Sequence, residues 1–254
     1  MTPLPRLMVA PNGARRTKSD HPAIPMTLSE IVETARACYA EGADGLHLHL
    51  RDAAGRHLLD SGHYREALSE LRMAVPEMAV QVTTEAAGLY SASHQRQVAL
   101  DAGAELVSVA PREMRRNTAD ATAKAFYGAC AARGIAVQHI LYAPEDFDLL
   151  VRLLPDALLE APGLQLIFVL GRYSHDQDSA PADLLPFLQR MQRLELSADW
   201  AVCAFGRGET ACLASAHRRG GKLRVGFENS FWNDDGSIAE DNAERVRKVL
   251  QACG

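Results

Sequence analysis

The stretch Gly45–Asp52, GLHLHLRD, alternates apolar and polar residues. A period of two is typical of a β-strand, because successive side chains point to opposite faces of the strand. The three leucines of this stretch therefore share one face, and His47 and His49 share the other. A surface strand usually carries Thr or Lys at its polar positions. Two imidazoles on one face therefore indicate that this face is not an ordinary solvent-exposed surface.

Short β-rich runs recur along the 254-residue chain, and each run ends in polar residues or glycine. The eight predicted strands are Leu7–Pro11, Gly45–Leu50, Met78–Thr84, Leu106–Ala110, Ala136–Tyr142, Leu164–Leu170, Trp200–Phe205 and Leu223–Phe227. Helical periodicity follows the first strand from Leu28 to Tyr39, and Thr27 with Glu30 forms a capping box before it. The other predicted helices span residues 62–73, 91–102, 117–133, 144–154, 182–194, 209–219 and 239–251.

Strands that alternate with helices pair in parallel through right-handed crossovers. Eight such units in about 250 residues are the usual size of a (β/α)8 barrel, or TIM barrel. A doubly wound open sheet would also fit the alternation, but no glycine-rich nucleotide motif follows the first strand. The sequence therefore predicts an α/β fold with one (β/α)8 barrel domain over residues 1–254.

Charge and cysteine content argue against several functional classes. The net charge is -5, and acidic and basic residues are mixed along the chain, so no basic stripe is available for nucleic acid. The five cysteines show no C-x-x-C spacing, which is typical of reduced thiols. No signal-peptide pattern and no long apolar run occur. These features predict a soluble, cytoplasmic protein without nucleic-acid or membrane partners.

Polar residues gather where the predicted strands end, which is the end of a barrel that carries the chemistry. This rim comprises Asn12, His47, His49, Arg51, Thr83, Thr84, Glu85, Ser108, Arg112, His139, Tyr142, Arg172, Arg207, Glu209, Arg224, Glu228 and Asn229. Arg15, Arg16 and Lys18 follow the first strand. They either form a solvated basic cluster or neutralise an anionic substrate.

The outward face of a barrel strand must be apolar to pack on helices, so His47 and His49 are expected to point into the barrel. Two neutral imidazoles are suitable ligands for zinc, which takes a third protein ligand and keeps one position open for chemistry. Glu228 could be that ligand, because barrel closure brings the eighth strand near the second. The alternative is that both histidines are only hydrogen-bonded polar residues of the barrel mouth.

Motifs spread along the chain match a known family. They are APNGARRTKSDHPAIP (10–25), GADGLHLHLRDAAGRHLLD (42–60), QVTTEAAG (81–88), FVLG (168–171), WAVCAFGRGE (200–209) and GGKLRVGFEN (220–229). With these motifs the chain resembles the β-keto acid cleavage enzymes nearly end to end. The resemblance implies a zinc-dependent transferase, usually a homotetramer. Such an enzyme condenses a β-keto acid with acetyl-CoA to give acetoacetate and a new acyl-CoA.

The resemblance also implies roles for individual residues. His47, His49 and Glu228 would be the zinc ligands, and Arg224 would organise the catalytic acid-base group. Zinc held by the substrate's keto oxygen and carboxylate would polarise the ketone, so no Schiff-base lysine is needed. Thr83 and Ser108 resemble the positions that hold the substrate carboxylate. The full set of substrate-binding candidates is Asn12, Arg15, Thr83, Thr84 and Ser108.

Two positions depart from the family pattern. The founding type carries an acidic residue where this chain has Arg15, and an aspartate where it has Asn229. An amide cannot act as a general base. Either Glu85 has taken that catalytic role, or the mechanism is altered, or the chain is an impaired homologue that binds acyl-CoA or metal. The two changes raise the local charge by about three units, which predicts an anionic β-keto acid as substrate.

A metal-dependent hydrolase on the same barrel is a further alternative, since H-x-H supplies two metal ligands in that class as well. There the pair usually ends the first strand, with histidines on the fifth and sixth strands and an aspartate on the eighth. Here the pair ends the second strand, and Glu228 and Asn229 end the eighth. This order favours the cleavage enzyme.

Overall fold

The computed structural model describes residues 2–254. Its strands are β1 (Leu7–Val9), β2 (Gly45–Leu48), β3 (Leu50–Arg51), β4 (His57–Leu58), β5 (Ala79–Thr83), β6 (Leu106–Val109), β7 (Ala136–Leu141), β8 (Gln165–Leu170), β9 (Asp199–Ala204) and β10 (Lys222–Val225). All of them except β3 and β4 form a closed parallel barrel, in which β1 pairs with both β2 and β10. The predicted (β/α)8 barrel is confirmed.

Helices alternate with these strands. They are α1 (Leu28–Ala40), α2 (Ser61–Ala74), α3 (Ala92–Asp101), α4 (Pro111–Arg115), α5 (Asp120–Ala132), α6 (Asp146–Leu153), α7 (Asp156–Leu159), α8 (Leu185–Arg193), α9 (Glu209–His217) and α10 (Asn242–Cys253). The predicted capping box begins α1, because Thr27 Oγ1 accepts from the Glu30 N–H and the Glu30 carboxylate accepts from the Thr27 N–H. Among residues 2–254, no helix is long and apolar enough to cross a membrane.

The predicted second strand, Gly45–Leu50, is wrong at its end. The barrel ladder of β2 stops at Leu48, and β3 pairs antiparallel with β4 to form a hairpin on the barrel. The turn of this hairpin is closed by Asp52, whose carboxylate accepts from the N–H groups of Ala54 and Arg56. This local turn draws the backbone away from the barrel ladder directly after His49.

Strand alternation divides the core into two layers. The outer layer lies between strands and helices and includes the three leucines of the opening stretch, as predicted. The inner layer fills the barrel with Met8, Leu106, Ala136, Ile167 and Cys203 and other apolar side chains. Polar side chains such as His47, Arg224 and Glu228 lie near the carboxyl-terminal ends of the strands, and they form the candidate site.

Candidate active site

His47, His49 and Glu228 converge at the carboxyl-terminal end of the barrel. The two Nε2 atoms are 3.1 Å apart. Glu228 Oε2 lies 3.7 Å from His47 Nε2, and Glu228 Oε1 lies 3.7 Å from His49 Nε2. The ligand atoms of all three residues lie within 4.8 Å of one another. The three residues that the sequence singled out as metal ligands are thus brought together.

The spacing of these atoms fits a small divalent cation. Tetrahedral zinc with bonds of about 2.0–2.2 Å places its ligand atoms about 3.3–3.6 Å apart. The observed separations of 3.1 and 3.7 Å bracket this range. Glu228 Oε2 has no hydrogen-bond partner within residues 2–254. Two imidazoles and one carboxylate are a donor set that zinc accepts, and three protein ligands leave a fourth position for substrate.

The protonation states at this cluster also suit a cation. Burial lowers the pKa of His47 to about 4 and lowers the pKa of His49 well below its usual value, so both rings are neutral at pH 7. Burial by itself would raise the pKa of Glu228, but the charge of Arg224 holds that pKa below its usual value. Two neutral imidazoles therefore face one carboxylate.

Two glycines allow Glu228 to reach the histidines. Gly226 has φ +137°, and a Cβ there would lie 2.5 Å from the Ala10 carbonyl oxygen, so only glycine lets β10 pass so close to β1. Gly13 has φ +62°, and a Cβ there would lie 2.6 Å from Glu228 Cγ. The loop after β1 therefore packs directly on the Glu228 side chain.

An open cleft with about 680 Å³ of empty space includes Glu228 in its wall. Its other lining residues are Asn12, Gly13, Ala14, Arg15, Arg16, Glu85, Tyr142, Val169, Arg172, Gln177, Phe205 and Arg224. Four arginines and two glutamates thus border one cleft. This excess of positive charge favours an anionic ligand.

Arg224 is 4% exposed and only loosely paired. Its Nη2 donates to Cys203 Sγ at 3.3 Å and lies 3.9 Å from Glu228 Oε1. Its Nε and Nη1 have no hydrogen-bond partner in the part of the chain that the structure describes. A buried guanidinium with free donors at a cleft is suited to an anion or a developing negative charge.

Glu85 lies at the end of β5 and borders the same cleft. Burial, together with the negative charges of Glu228 and Glu113, raises the pKa of Glu85 to about 7. A carboxyl group with this pKa can both accept and return a proton near neutral pH. The structure therefore places the proposed replacement base where a substrate could reach it.

Arg51 holds the loop after β1 in place. Its Nη2 donates to the carbonyl oxygens of Gly13 and Arg16, and its Nη1 donates to the Gly55 carbonyl oxygen. Asn12 in this loop donates to the Pro25 carbonyl oxygen, while its Oδ1 lacks a partner among residues 2–254. The structure thus brings Asn12 to the cleft with a free acceptor.

Thr83, Thr84 and Ser108 are buried at the ends of β5 and β6, and none of them lines the cleft as described for residues 2–254. Thr83 pairs with Ser108 across the inner face, and its Oγ1 accepts from the Glu85 N–H. Thr84 alternates to the outer side, where its hydroxyl donates to the Ser108 carbonyl oxygen. Thr83 thus supports Glu85, whereas Thr84 connects two strands.

Arg15 and Asn229, the two positions at which the sequence was expected to depart from the family pattern, have different surroundings. Arg15 is exposed at the cleft wall. Asn229 is fully buried, and neither polar atom of its amide has a hydrogen-bond partner within the described chain, residues 2–254. Its backbone oxygen accepts from Arg16. Asn229 is adjacent to Glu228 in sequence but is not part of the cleft lining found among those residues.

The assignment of His139 to the polar rim is wrong. It lies within β7 and alternates with inward-facing Gln138 and Ile140, so its ring points outward. There it packs 5.1 Å from the Tyr127 ring of α5. The sequence pattern located the strand correctly but did not reveal which face the histidine occupies.

Two functional candidates inside the barrel escaped the sequence analysis. Gln81 accepts a hydrogen bond from His47 Nδ1 at 2.8 Å, and its own amide donates to Gln138 Oε1 at 2.9 Å. Both glutamines are fully buried. The sequence signal that could have identified them is a glutamine at an inward position in each of two largely apolar strands.

Comparisons with known proteins agree with this geometry. A family model described as beta-keto acid cleavage enzyme matches residues 6–254. The 3-keto-5-aminohexanoate cleavage enzyme of Fusobacterium nucleatum is 29% identical over 94% of this chain and 87% of its own length. The 3-oxoadipate:acetyl-CoA acetyltransferase of Cupriavidus necator is 26% identical over 97% of this chain and 87% of its own length.

Solved structures share the fold. The chain superposes on ObcA, solved as a binary complex with oxaloacetate, with a TM-score of 0.68 and 17% identity over 91% of this chain. The chain spans 63% of the length of that protein, and the likeness shows the barrel alone. The family match, in contrast, covers nearly every residue. The protein therefore belongs to the β-keto acid cleavage enzyme family, as its motifs predicted.

Proposed function

We propose that this protein is a zinc-dependent β-keto acid cleavage enzyme that uses acetyl-CoA as co-substrate. The observation that carries the proposal is the convergence of His47 and His49 on Glu228, which lies in the wall of an arginine-lined cleft. In the reaction, C2 of the β-keto acid forms a bond to the acetyl carbonyl carbon, and CoA thiolate leaves. The thiolate then adds to C3, and the C2–C3 bond breaks to give acetoacetate and a new acyl-CoA.

Zinc bound by the three ligands would supply Lewis-acid polarisation of the substrate ketone. Arg224 points free donors at the cleft, where they can hold the substrate carboxylate or offset negative charge on oxygen. Glu85 takes a proton from C2 and returns it after the C2–C3 bond breaks. Its pKa of about 7 suits both transfers.

We further propose that the substrate carries a second negative charge. Arg15 and Arg172 border the cleft in addition to Arg16 and Arg224, and only two carboxylates balance them. The Cupriavidus necator relative is named for 3-oxoadipate, a β-keto dicarboxylate. A second substrate carboxylate would find an arginine partner in this cleft.

The domain content and the oligomeric state that we propose follow from the sequence resemblance. We propose one barrel domain over residues 1–254 and a homotetramer. Size-exclusion chromatography with light scattering measures the oligomeric state directly.

The function is tested by adding acetyl-CoA and single β-keto acids to the zinc-loaded protein and measuring acetoacetate and acyl-CoA by mass spectrometry. A dicarboxylic, a neutral and an amino-bearing β-keto acid form the panel. We expect turnover of the dicarboxylic compound to be the fastest. Absence of acetoacetate with every substrate would overturn the proposed reaction and favour the impaired homologue.

Substrate charge is tested with a matched pair of arginine variants. Arg172→Gln removes one positive charge from the cleft, and Arg36→Gln removes one from an exposed position on α1, where Arg36 pairs with Glu33. We expect Arg172→Gln to reduce kcat/KM for the dicarboxylic substrate relative to the neutral one by about tenfold, close to one charge-assisted hydrogen bond. Arg36→Gln should leave that ratio unchanged, and an equal ratio in both variants would contradict the proposed role.

A further inference from the structure

A line of buried side-chain amides crosses the barrel interior behind His47. His47 Nδ1 and Gln81 Oε1 are 2.8 Å apart, and Gln81 Nε2 and Gln138 Oε1 are 2.9 Å apart. Gln138 Nε2 then lies 3.3 Å from the Leu166 carbonyl oxygen on β8. The line therefore begins at a proposed metal ligand and ends on the backbone of the barrel.

The backbone end of this line fixes the direction of every hydrogen bond in it. A carbonyl oxygen can only accept, so Gln138 donates its Nε2–H to Leu166 and presents Oε1 to Gln81. Gln81 must then donate to Gln138 and present its own Oε1 to His47. A ring nitrogen facing that oxygen has to carry the proton, so His47 is protonated at Nδ1 and has its lone pair on Nε2.

The second histidine has no comparable support. His49 Nδ1 has no hydrogen-bond partner among the residues described, 2–254. His49 Nε2 lies 3.1 Å from His47 Nε2. This separation is close to that expected for two ligands of one cation, so it does not fix a proton on His49. Among residues 2–254, no hydrogen bond to Nδ1 sets the tautomer of His49 as Gln81 sets that of His47.

We propose that Gln81 and Gln138 are positioning residues that fix His47 as a preorganised Nε2 ligand, whereas His49 lacks such a residue. The inference rests on the proposed function, because the cation that His47 would bind is the zinc ion proposed there. Hydrogen bonds from the second nitrogen of a ligating histidine commonly set its tautomer and its basicity. Here the direction of the hydrogen bonds is set by the Leu166 carbonyl oxygen, which is linked to His47 through the side-chain amides of Gln138 and Gln81.

Nitrogen NMR of the metal-free protein tests the His47 tautomer directly. Long-range ¹H–¹⁵N spectra should show Nδ1–H on His47. Addition of Zn²⁺ should leave the His47 tautomer unchanged. An Nε2–H tautomer of His47 in the metal-free protein would overturn the proposal, whatever the enzyme's activity.

Metal affinity tests the positioning role. Gln81→Met keeps the side-chain volume but removes the acceptor, and we expect it to weaken Zn²⁺ binding, measured by chelator competition, by about 10- to 100-fold. Gln81→Glu restores an acceptor for Nδ1–H and should recover at least tenfold of that loss. Gln138→Met removes only the hydrogen bond that orients Gln81, so it should weaken Zn²⁺ binding less than Gln81→Met does.

Gln165→Met provides the matched control. Gln165 is also a buried glutamine on an inward position, but its amide donates to the Thr2 carbonyl oxygen, away from His47. The Gln165→Met variant should bind Zn²⁺ as tightly as the unaltered protein does. With Co²⁺ in place of Zn²⁺, both proteins should give the same absorption spectrum. If Gln81→Met and Gln165→Met lose equal affinity, the amides only fill space and the inference fails. If the unaltered protein binds no Zn²⁺, the proposed function fails instead.

Discussion

Two buried arginine–glutamate pairs lie at the carboxyl-terminal end of the barrel, and they differ in how far their hydrogen bonds are satisfied. In the first pair, Arg245 Nη2 and Glu209 Oε2 are 2.7 Å apart, and both side chains have no exposed surface. Arg245 also donates to Thr210 Oγ1 at 2.9 Å and to Asn233 Oδ1 at 2.8 Å. Neighbouring groups therefore close most of this pair, and only Arg245 Nε lacks a partner among residues 2–254.

The second pair, Arg224 and Glu228, is nearly as buried but is left open. Its closest approach is 3.9 Å, and Arg224 keeps two donor nitrogens without partners among residues 2–254. A buried charge is costly unless it is paired and hydrogen-bonded. Such a cost is tolerated where a ligand completes the bonding. From this difference we propose that the first pair stabilises the fold and that the second pair binds ligands.

The largest effect is expected from breaking the closed pair. Arg245→Leu leaves Glu209 buried and unpaired, so the free energy of unfolding should fall by about 3–5 kcal/mol. Denaturant unfolding measures this change. Replacing both partners by leucine should recover part of the loss, because no uncompensated charge is then buried. A single variant as stable as the unaltered protein would refute the structural role of this pair.

The open pair should respond mainly through catalysis. Arg224→Leu removes donors at the cleft, and kcat/KM should fall by about 10²-fold, as for the loss of one oxyanion donor. The free energy of unfolding should fall by less than in Arg245→Leu, because the removal of unsatisfied N–H groups offsets the loss of positive charge beside Glu228. Parallel kinetics and unfolding curves test both statements. A large loss of stability with normal kinetics would show that Arg224 is structural.

A smaller effect is expected from pH, because Glu85 near the open pair has a raised pKa. Burial and nearby carboxylates raise the pKa of Glu85 to about 7, and a general base acts only when deprotonated. Therefore kcat/KM should be half-maximal near pH 7, reach a plateau about one pH unit higher, and be about tenfold lower at pH 6 than on the plateau. Glu85→Gln should lower the plateau and abolish this rise. A rise that persists in the variant would assign the titration to another group.

Much of the barrel could be predicted from local sequence patterns. Alternation in the stretch Gly45–Asp52 predicted which side of β2 is buried against helices, and the structure agrees. The end of that strand was wrong because the turn at Asp52 forms a hairpin, and this turn competes with the barrel ladder. Alternation gives relative faces reliably, but it does not tell where a ladder stops.

Site residues could be predicted where their position along a strand determines whether the side chain points into the barrel. His47, His49 and Glu228 met as expected because strand closure is a property of the whole fold. His139 was misplaced because a single histidine inside an apolar strand carries no information about its face. Gln81 and Gln138 were missed because their hydrogen bonds join distant parts of the sequence. His47 and Gln81 lie on neighbouring strands but are 34 residues apart along the chain, and Gln81 and Gln138 are 57 residues apart.

The order in which the barrel is assembled has a consequence for synthesis. His47 lies in β2 and His49 follows that strand directly, whereas Glu228 lies three residues after β10. A partly synthesised chain on the ribosome therefore has at most two of the three proposed ligands. Binding of the proposed cation by all three residues would require the final strand to dock against the first. Occupancy of that cation would thus report closure of the barrel in a newly made molecule.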